Sequence, residues 1–321
     1  MNCIGIESTA HTFSCAVVND NGKILSEIRE MYQNPEKGII PNECAEFLKK
    51  VKDRIIYDAV EDSKVKNFDL IAFSQGPGMP LSLWVGANAA KELAEKYKIP
   101  LVGVSHLISH LEIGKLMCKV KDPVFILATG ANTQIIAFEG GKYRIFGEAL
   151  SIGIGNALDK FGREIGLGFP AGSKIEELAK KGNYIELPYV VKGMDVEYSG
   201  ITTRAIQLYK QGVKKEDLCF SLQETMFSML TEVAERALAH TEKNELLLIG
   251  GVAANGRLIE MLQIMCKERN CKFEVVPMKW SGDQAAMIAW TGILEYKKNK
   301  KYYDNLDIKK IEINSKWRID D

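Results

Sequence analysis

The sequence predicts an α/β protein built from two related lobes, and three features support this fold class. A strand, a small polar loop, a second strand, a turn and a third strand begin at Ile4, and the same order begins again at Val124, about 120 residues later. Such a weak internal duplication suggests two lobes of similar architecture. Strand-like runs also alternate with helix-like runs, which is typical of sheets with parallel pairing and crossover helices. The length of 321 residues fits two lobes.

The first half of the chain contains the first three-strand unit and a βαβ pattern. The unit occupies residues 4–26, with the hairpin signal N-D-N-G at 19–22. An apolar run at 69–74 predicts a buried strand, residues 85–97 predict a helix, and residues 101–104 predict a short strand. A helix that carries two histidines is expected directly after this strand.

The second half begins with the repeated unit, whose turn is E-G-G-K at 139–142. Helices are then expected at 155–165, 174–181, 221–240, 257–266 and 284–296, and strands at 245–249 and 273–276. We expect an N-terminal lobe of residues 1–118 and a C-terminal lobe of residues 119–321. The final helix, about 284–298, is a candidate to cross back towards the first lobe.

The composition limits the classes of function. The chain has 42 basic and 42 acidic residues, so its formal net charge is zero and it lacks a long-range field that would attract nucleic acid. Action on nucleic acid would need a local patch or a basic partner. The seven cysteines are scattered without a C-x-x-C motif, which indicates free thiols in a reducing, cytoplasmic compartment. No run reaches the ~18 apolar residues of a membrane span, so no membrane partner is expected.

His106 and His110 are two of the four histidines and lie four residues apart in S-H-L-I-S-H-L-E. On a helix, positions i and i+4 share a face, so both imidazoles could bind one metal ion. The alternative is a pair of ordinary histidines on an amphipathic helix, because a metal site needs further ligands. The zincin motif H-E-x-x-H has a general base after its first histidine, whereas Leu107 stands there in this chain. A metalloprotease is therefore disfavoured.

Three small-residue loops each follow an apolar strand: E-S-T-A-H-T from Glu7, T-G-A-N-T from Thr129, and G-G-V-A-A-N-G from Gly250. Backbone N–H groups in such loops can surround a phosphate, although each loop alone also fits an ordinary turn. None is a Walker loop or a G-x-G-x-x-G fingerprint. Together they resemble the two phosphate loops and the adenosine loop of the actin, sugar kinase and Hsp70 (ASKHA) superfamily. That resemblance implies two duplicated lobes around a nucleotide and metal cleft.

Further motifs extend the resemblance along the whole chain. They are I-G-I-E-S-T-A-H-T, A-F-S-Q-G-P-G, G-V-S-H-L-I-S-H-L-E, F-G-E-A-L, G-I-G-N-A-L-D-K-F, E-L-P-Y-V-V-K-G-M-D and G-G-V-A-A-N. On these motifs the chain resembles the universal threonylcarbamoyltransferase family (Kae/TsaD/OSGEP), which is TsaD in bacteria and the Kae subunit of the KEOPS complex in archaea and eukaryotes. The K-G-M-D segment and the compact length resemble the archaeal and eukaryotic branch.

The resemblance implies a metal-dependent tRNA modification. A threonylcarbamoyl group would pass from threonylcarbamoyl-AMP to N6 of the adenosine next to the anticodon, in tRNAs that read ANN codons. One divalent metal, Fe²⁺ or Zn²⁺, would be held by His106, His110 and Asp283, and by a tyrosine whose position is Leu127 here. Asp283 also fits the N-cap of the helix that follows it. The implied partners are tRNA and the other KEOPS subunits: a small atypical kinase-like ATPase, its activating subunit and a small dimerising subunit.

The resemblance also assigns substrate positions. Asp159 would hold the ribose hydroxyls and Glu176 is a second ribose candidate, although without the family both fit ordinary solvated helix charges. The implied substrate and nucleotide positions are Thr129, Gly130, Ala131, Asn132, Asp159, Gly172, Glu176 and Asn255. The implied phosphate-loop positions are Glu7, Ser8, Thr9, His11, Gly250 and Gly251.

The chain departs from the family pattern at several positions, which we expect to lie around the cleft. Leu127 in place of the tyrosine should weaken the metal and alter its geometry, although water can take the vacant position. Ala131 and Ala171 add methyl groups where the family has glycine. The remaining departures are Phe47 and Leu48 for two histidines, Trp84 for arginine, Ser151 for aspartate, and Gln284 and Gly256 for asparagine.

Two alternatives to a transferase stay open. A catalytically weakened nucleotide-binding scaffold subunit of the same complex would explain the departures, and a metal-free chain that still binds its partners would favour it. A sugar-kinase-type phosphotransferase would use the same phosphate loops, but it leaves the histidine pair without a role.

Overall fold

The structure is a computed structural model that describes residues 1–34 and 39–321. Its strands are β1 (Asn2–Glu7), β2 (Thr12–Asn19), β3 (Ile24–Met31), β4 (Leu70–Gly76), β5 (Leu101–Ser105), β6 (Val124–Ala128), β7 (Thr133–Glu139), β8 (Lys142–Glu148), β9 (Val191–Lys192), β10 (Asp195–Val196), β11 (Glu245–Ile249) and β12 (Lys272–Val275). Its α-helices are α1 (Pro41–Ser63), α2 (Pro80–Tyr97), α3 (His106–Cys118), α4 (Ile154–Glu164), α5 (Gly172–Ala179), α6 (Ser199–Lys210), α7 (Lys215–Thr241), α8 (Gly256–Glu268), α9 (Met278–Ser281), α10 (Ala285–Lys298) and α11 (Lys300–Tyr303). Two 3₁₀ turns lie at Gly251–Ala254 and Ile308–Lys310.

The described residues form two compact units. The first unit consists of Met1–Leu116, Asp283–Ile319 and Asp321, and the second consists of Met117–Gly282 and Asp320. Each unit has its own five-stranded sheet and its own apolar core.

The sheet of the first unit has the order β3-β2-β1-β4-β5. Strands β1, β2 and β3 pair antiparallel, and β4 and β5 continue the sheet parallel to β1. Parallel strands end at the same edge of a sheet, and ligands commonly bind beyond that edge. Glu7 ends β1, Gly76 ends β4 and Ser105 ends β5, so the loops after these three residues share one edge.

Helix α10 packs directly on β1 because the strand offers a glycine at the point of contact. A Cβ atom at Gly5 would lie only 2.4 Å from the carbonyl oxygen of Ala285 and 2.6 Å from the nitrogen of Ala289. This close approach ties the segment Asp283–Ile319 to the first unit. In this division the segment that contains α10 belongs to the first unit rather than to the unit of residues 117–282.

The second unit repeats the architecture of the first. Its sheet has the order β12-β11-β6-β7-β8, in which β6, β7 and β8 pair antiparallel and β11 and β12 continue parallel to β6. The predicted duplication and the α/β fold class are confirmed by this shared strand order.

Some elements were not predicted from the sequence. Helices α1 and α6 and the short β9–β10 hairpin are additional, and α7 begins at Lys215 rather than at 221. Helix α1 has a proline in its first turn and ends at Ser63, and its C-cap residue Lys64 has a left-handed φ of 57°. Among the residues that the structure describes, no helix is both long and apolar enough to cross a bilayer.

Candidate metal centre and glycine-lined pocket

Three side chains of the first unit converge at the start of α3. His106 and His110 lie one turn apart, and their Nε2 atoms are 3.2 Å from each other. Asp283 Oδ1 lies 3.4 Å from each of the two Nε2 atoms. Within the described part of the chain, these three residues form the one cluster of histidine, cysteine and carboxylate ligands that could hold a metal ion. The predicted histidine pair and Asp283 are thus brought together; we call them the trio.

The triangle formed by these three atoms has the dimensions of a metal site. Zinc–nitrogen and zinc–oxygen bonds of about 2.0–2.1 Å in a tetrahedron place neighbouring ligand atoms about 3.3–3.4 Å apart. The observed edges of 3.2, 3.4 and 3.4 Å match one face of that tetrahedron. Two imidazole nitrogens at 3.2 Å repel each other unless a cation lies between them or one carries a proton. Two imidazoles and a carboxylate suit zinc and iron alike.

Glu7 fixes the orientation of His106. The Nδ1 atom of His106 lies 3.0 Å from Glu7 Oε2, and the hydroxyl and backbone N–H of Thr9 both donate to Glu7 Oε1. A carboxylate that accepts a hydrogen bond from Nδ1 keeps the proton there and leaves the Nε2 lone pair for a metal. By contrast, Nδ1 of His110 is buried without a partner among the described residues. The imidazole of His106 is therefore oriented by a hydrogen bond at Nδ1, whereas that of His110 is not.

The charges of the trio stabilise one another. Burial opposes the protonation of His106, but the carboxylates of Glu7 and Asp283 outweigh it and raise the pKa of His106 well above its usual value. Burial likewise opposes ionisation of Asp283, yet the two histidines hold the pKa of Asp283 well below its usual value. Such a site attracts positive charge strongly, either as a proton or as a metal cation.

Asp283 does not cap helix α10. The N-cap residue is Gln284, which makes no side-chain capping bond, and the side chain of Asp283 faces the two histidines instead. The N-cap interpretation of Asp283 is therefore wrong, and the ligand interpretation agrees with its geometry. Arg29 Nη1 donates to the backbone carbonyl of Asp283 at 3.3 Å, which leaves the carboxylate available.

The first predicted phosphate loop uses its side chains within the first unit. The Ser8 hydroxyl donates to the carbonyl of Ser82 at 2.8 Å, and the Ser8 backbone N–H donates to Ser74 Oγ at 3.1 Å. Glu7, Ser8 and Thr9 are all buried. Since His11 is only partly buried, it is the predicted side chain of this loop that lies nearest to solvent. The contact of Glu7 with His106 therefore supports a role in orienting that imidazole rather than in binding a phosphate.

The second loop is a compact turn in the second unit. The backbone N–H of Thr129 donates to the Asn132 carbonyl at 2.8 Å, and the Asn132 N–H donates to Thr129 Oγ1 at 3.0 Å. Gly130 accepts from the Asn156 N–H at 2.9 Å, which joins the loop to α4. Ala131 is exposed, so its additional methyl group does not disturb the core.

A pocket of about 310 Å³ opens in the second unit. Four glycines belong to its wall, which lets a flat or bulky ligand approach the backbone closely. The lining residues are Gly130, Gly155, Leu158, Asp159, Pro170, Gly172, Ser173, Glu176, Gly251, Val252, Ala254 and Asn255. Six predicted positions therefore meet here: Gly130, Asp159, Gly172, Glu176, Gly251 and Asn255. Thr129, Ala131, Asn132 and Gly250 are not part of this lining.

The carboxylates of the pocket each use one oxygen structurally. Asp159 Oδ1 accepts from the Ala171 N–H at 2.7 Å, and Glu176 Oε1 accepts from the Gly256 N–H at 2.9 Å. The second oxygen of each can accept a ligand hydroxyl. Asn255 differs, because its Oδ1 caps α8 and its Nδ2 donates to Gln223 Oε1 at 2.9 Å. Its expected contact with a base or phosphate therefore competes with a structural role.

The departures from the family pattern do not all surround ligand sites. Leu48 and Ala171 are fully buried in apolar cores, and Gly162 makes room for the Ala171 methyl group. Ser151 donates to Glu197. Leu127 is 1% exposed within β6 and has no donor atom for a metal. Ala171 nevertheless adjoins the pocket through its backbone, because its N–H donates to Asp159.

Three further departures have different environments. Phe47 packs edge-on against Tyr32, with ring centroids 5.9 Å apart. Trp84 is 39% exposed on α2, and Lys91 Nζ lies 5.9 Å from its ring centroid. Gln284 is buried, and its amide has no hydrogen-bond partner among the described residues.

Several residues of these sites were not found from the sequence. Ser173 and Val252 line the pocket, and Glu27 contacts the start of α10. Ser173 and Glu176 are three residues apart on α5, a spacing that could have indicated a shared face. Nothing in the local sequence around Glu27 indicates its contact, which depends on strand register.

Comparison with known sequences gives consistent matches. Residues 23–290 match the family described as TsaD: tRNA N6-adenosine threonylcarbamoyltransferase. The chain is 49% identical to the tRNA N6-adenosine threonylcarbamoyltransferase of Thermococcus sibiricus, over 100% of this chain and 98% of the relative. It is 48% identical to the protein of the same description from Archaeoglobus fulgidus, again over 100% and 98%.

A third relative is longer than this chain. The probable bifunctional tRNA threonylcarbamoyladenosine biosynthesis protein of Methanocaldococcus jannaschii is 48% identical over 94% of this chain. The match covers only 56% of that relative.

Solved structures agree in fold. The HypF protein of T. kodakarensis superimposes with a TM-score of 0.66 at 15% identity, over 92% of this chain and 48% of that chain. The ROK hexokinase of Thermus thermophilus gives a TM-score of 0.51 at 15% identity, and the match covers 93% of this chain and 100% of the hexokinase. At these identities the likeness concerns the fold alone, and it confirms the predicted ASKHA-type fold.

Proposed function

The chain belongs to the tRNA N6-adenosine threonylcarbamoyltransferase family, and from this premise we propose that its trio binds the divalent metal of the transfer. The reaction moves the threonylcarbamoyl group of threonylcarbamoyl-AMP to N6 of the adenosine next to the anticodon, in tRNAs that read ANN codons. Because the donor is an AMP derivative, this tRNA-modifying transferase needs a nucleotide site and a means to stabilise the departing AMP.

One observation carries the proposal. The three ligand atoms of the trio are 3.2–3.4 Å apart, which is the spacing of one face of a tetrahedral metal site. Three protein ligands leave a position open, as in catalytic rather than structural zinc sites. Leu127 cannot supply a fourth side-chain ligand.

Each residue of the centre has a defined task in this proposal. His106 and His110 present Nε2, and Asp283 presents Oδ1. Glu7 keeps the proton of His106 on Nδ1, so that Nε2 stays free. When bound, a divalent metal would supply a Lewis acid that polarises the transferred carbonyl group.

The glycine-lined pocket is the proposed nucleoside site. Asp159 and Glu176 each have one oxygen bonded to backbone N–H, which fixes the carboxylates in place. Their other oxygens would accept hydrogen bonds from ribose hydroxyls. Gly172 and Gly251 leave space beside them, since no described heavy atom lies within 4 Å of a Cβ built at either position.

The partners are also part of the proposal. A formal net charge of zero supports a catalytic subunit that shares tRNA binding with other proteins. We propose that these are the KEOPS-type subunits: the small kinase-like ATPase, its activating subunit and the small dimerising subunit. All seven cysteines are free, which is consistent with action in the cytoplasm.

The decisive experiment compares the wild-type chain with the double variant His106→Ala/His110→Ala. Both are reconstituted with the partners, threonylcarbamoyl-AMP and an ANN-decoding tRNA. Modified nucleoside is measured by mass spectrometry, and metal content is measured on the same samples. His240→Ala is the matched control, because His240 is an exposed histidine on α7. Wild type and control should modify tRNA, and the double variant should lose both metal and activity.

A scaffold function is the second candidate, and the buried, donor-free Leu127 favours it. It would be supported by a wild-type chain that binds the kinase-like partner but holds no metal and modifies no tRNA. Such a result would contradict the transferase proposal for this chain.

A further inference from the structure

The start of helix α10 is capped from two neighbouring strands rather than by its own residues. Gln284 has extended backbone and no capping bond. The Ala286 N–H donates to Glu27 Oε2 at 2.8 Å, and the Ala285 N–H donates to Ser14 Oγ at 3.0 Å and Glu27 Oε1 at 3.3 Å. The Ser14 hydroxyl in turn donates to Glu27 Oε1. The first free N–H groups of the helix are therefore satisfied by the first sheet.

Strand register explains why these side chains meet the helix together. Strands β2 and β3 pair antiparallel with Ser14 opposite Arg29 and Ala16 opposite Glu27. Residues two apart on a strand share a face, and so do residues directly opposite each other. Ser14, Glu27 and Arg29 consequently lie on the face of the sheet that α10 covers.

Glu27 and Arg29 both contact the chain at Asp283 or just after it. Glu27 holds the two N–H groups that follow Gln284, and Arg29 donates to the carbonyl of Asp283 itself. The carboxylate of Glu27 also lies at the positive end of the helix dipole, where negative charge is favoured. Strand β3 therefore holds the chain at the carbonyl of Asp283 and at the two residues after Gln284.

We propose that Glu27, assisted by Ser14, is a positioning residue of the metal centre: it fixes the start of α10 so that Asp283 Oδ1 lies at ligand distance from both histidines. The proposal rests on metal binding by the trio. Ligand distances in metal sites lie within about 0.2 Å of their standard values, so a displaced helix start should reduce metal affinity. Residues behind the ligands commonly change metal affinity about 10–100-fold.

The test is a Co²⁺ titration of the full chain, wild type and Glu27→Gln, followed by visible absorption. Glutamine keeps the shape but offers one acceptor oxygen instead of two. Glu30→Gln is the matched control, because Glu30 lies on the same strand and pairs with Arg54 at the surface. We expect Glu27→Gln to bind Co²⁺ about tenfold more weakly with altered absorption bands, and Glu30→Gln to match wild type.

The unfolding midpoint of the metal-free proteins separates positioning from a purely structural role. A structural role alone would lower the midpoint and leave the Co²⁺ spectrum and affinity unchanged, which would overturn the proposal. Ser14→Ala provides a milder variant and should shift the spectrum in the same direction. Wild-type chain that binds no Co²⁺ would overturn the proposed metal centre and with it this role. Tight binding by wild type and Glu27→Gln alike would overturn only the positioning role.

Discussion

In the first unit the polar side chains of the trio interact with one another, whereas in the second unit the carboxylates of the pocket bond to backbone. Glu7 and Asp283 compensate the charge of His106, and the two histidines compensate the charge of Asp283. Asp159 and Glu176 are held separately by the N–H groups of Ala171 and Gly256. Loss of one trio residue should therefore abolish metal binding. Loss of one pocket carboxylate should only weaken ligand binding in the pocket.

Asp283→Ala should have the largest effect. It removes one of three protein ligands and leaves the two imidazoles without their carboxylate, so metal content should fall to background. Transfer to tRNA should fall at least about 100-fold. Metal analysis and the tRNA modification assay measure both, with Asp53→Ala as a control because Asp53 is 80% exposed on α1. Retained metal in Asp283→Ala would show that the trio is not the site.

Glu7→Gln tests how far the centre depends on the residue behind it. The amide offers one acceptor oxygen where the carboxylate has two. The imidazole of His106 should therefore be less firmly oriented, and its Nε2 should be less basic. We expect Co²⁺ affinity to fall about tenfold, less than for a lost ligand. The titration is the same as for Glu27→Gln. An unchanged affinity would mean that Thr9 and burial alone orient the imidazole.

Glu176→Gln tests the pocket. Glutamine can still accept from the Gly256 N–H, but a neutral group binds a ribose hydroxyl less strongly. We expect the KM for threonylcarbamoyl-AMP to rise about tenfold while kcat and metal content stay unchanged. Glu177→Gln is the matched control, since Glu177 is 71% exposed and pairs with Lys180. A loss of metal in Glu176→Gln would show that metal binding depends on the pocket carboxylate.

The metal-free chain should lose stability as the pH rises above about 6.5, the usual pKa of histidine. The folded pKa of His106 is raised, so its stabilising contribution is complete below the unfolded value of about 6.5 and is lost as the pH passes the folded pKa. The folded pKa of Asp283 is lowered, so its contribution is lost only in acid. Unfolding midpoints are measured in the presence of a chelator. With rising pH they should fall more steeply for wild type than for His106→Ala. Parallel profiles would contradict the coupling within the trio.

Gly172→Ala should have the smallest effect. A Cβ at this position meets no described heavy atom within 4 Å, so the methyl group would occupy pocket space without disturbing the fold. We expect the KM for the nucleotide donor to rise about threefold, by partial loss of contact area, and the unfolding midpoint to stay constant. Gly200→Ala on α6 adds a methyl group in equally open space away from the pocket. A similar KM change in that control would argue against a ligand beside Gly172.

The sequence predicted the features that depend on local spacing. The duplication follows from hydrophobic patterns near Ile4 and Val124, and the histidine pair follows from helical periodicity. Asp283 was identified only through the family resemblance, because it is distant in sequence and no local pattern links it to α3. Glu27 was missed for a related reason: its contact with Ala286 depends on the register of β3 and on the close approach of α10 at Gly5.

The order of residues along the chain affects how the centre forms during translation. Met117–Gly282, which makes up nearly all of the second unit, separates the histidines from Asp283 and α10. At a synthesis rate of about 5–20 residues per second, the ribosome would deliver Asp283 roughly ten to thirty seconds after His110. Until then β1 lacks the helix that covers Gly5, and the nascent chain has two imidazoles without their carboxylate. Metal loading is therefore expected to be a late event in the biosynthesis of this protein.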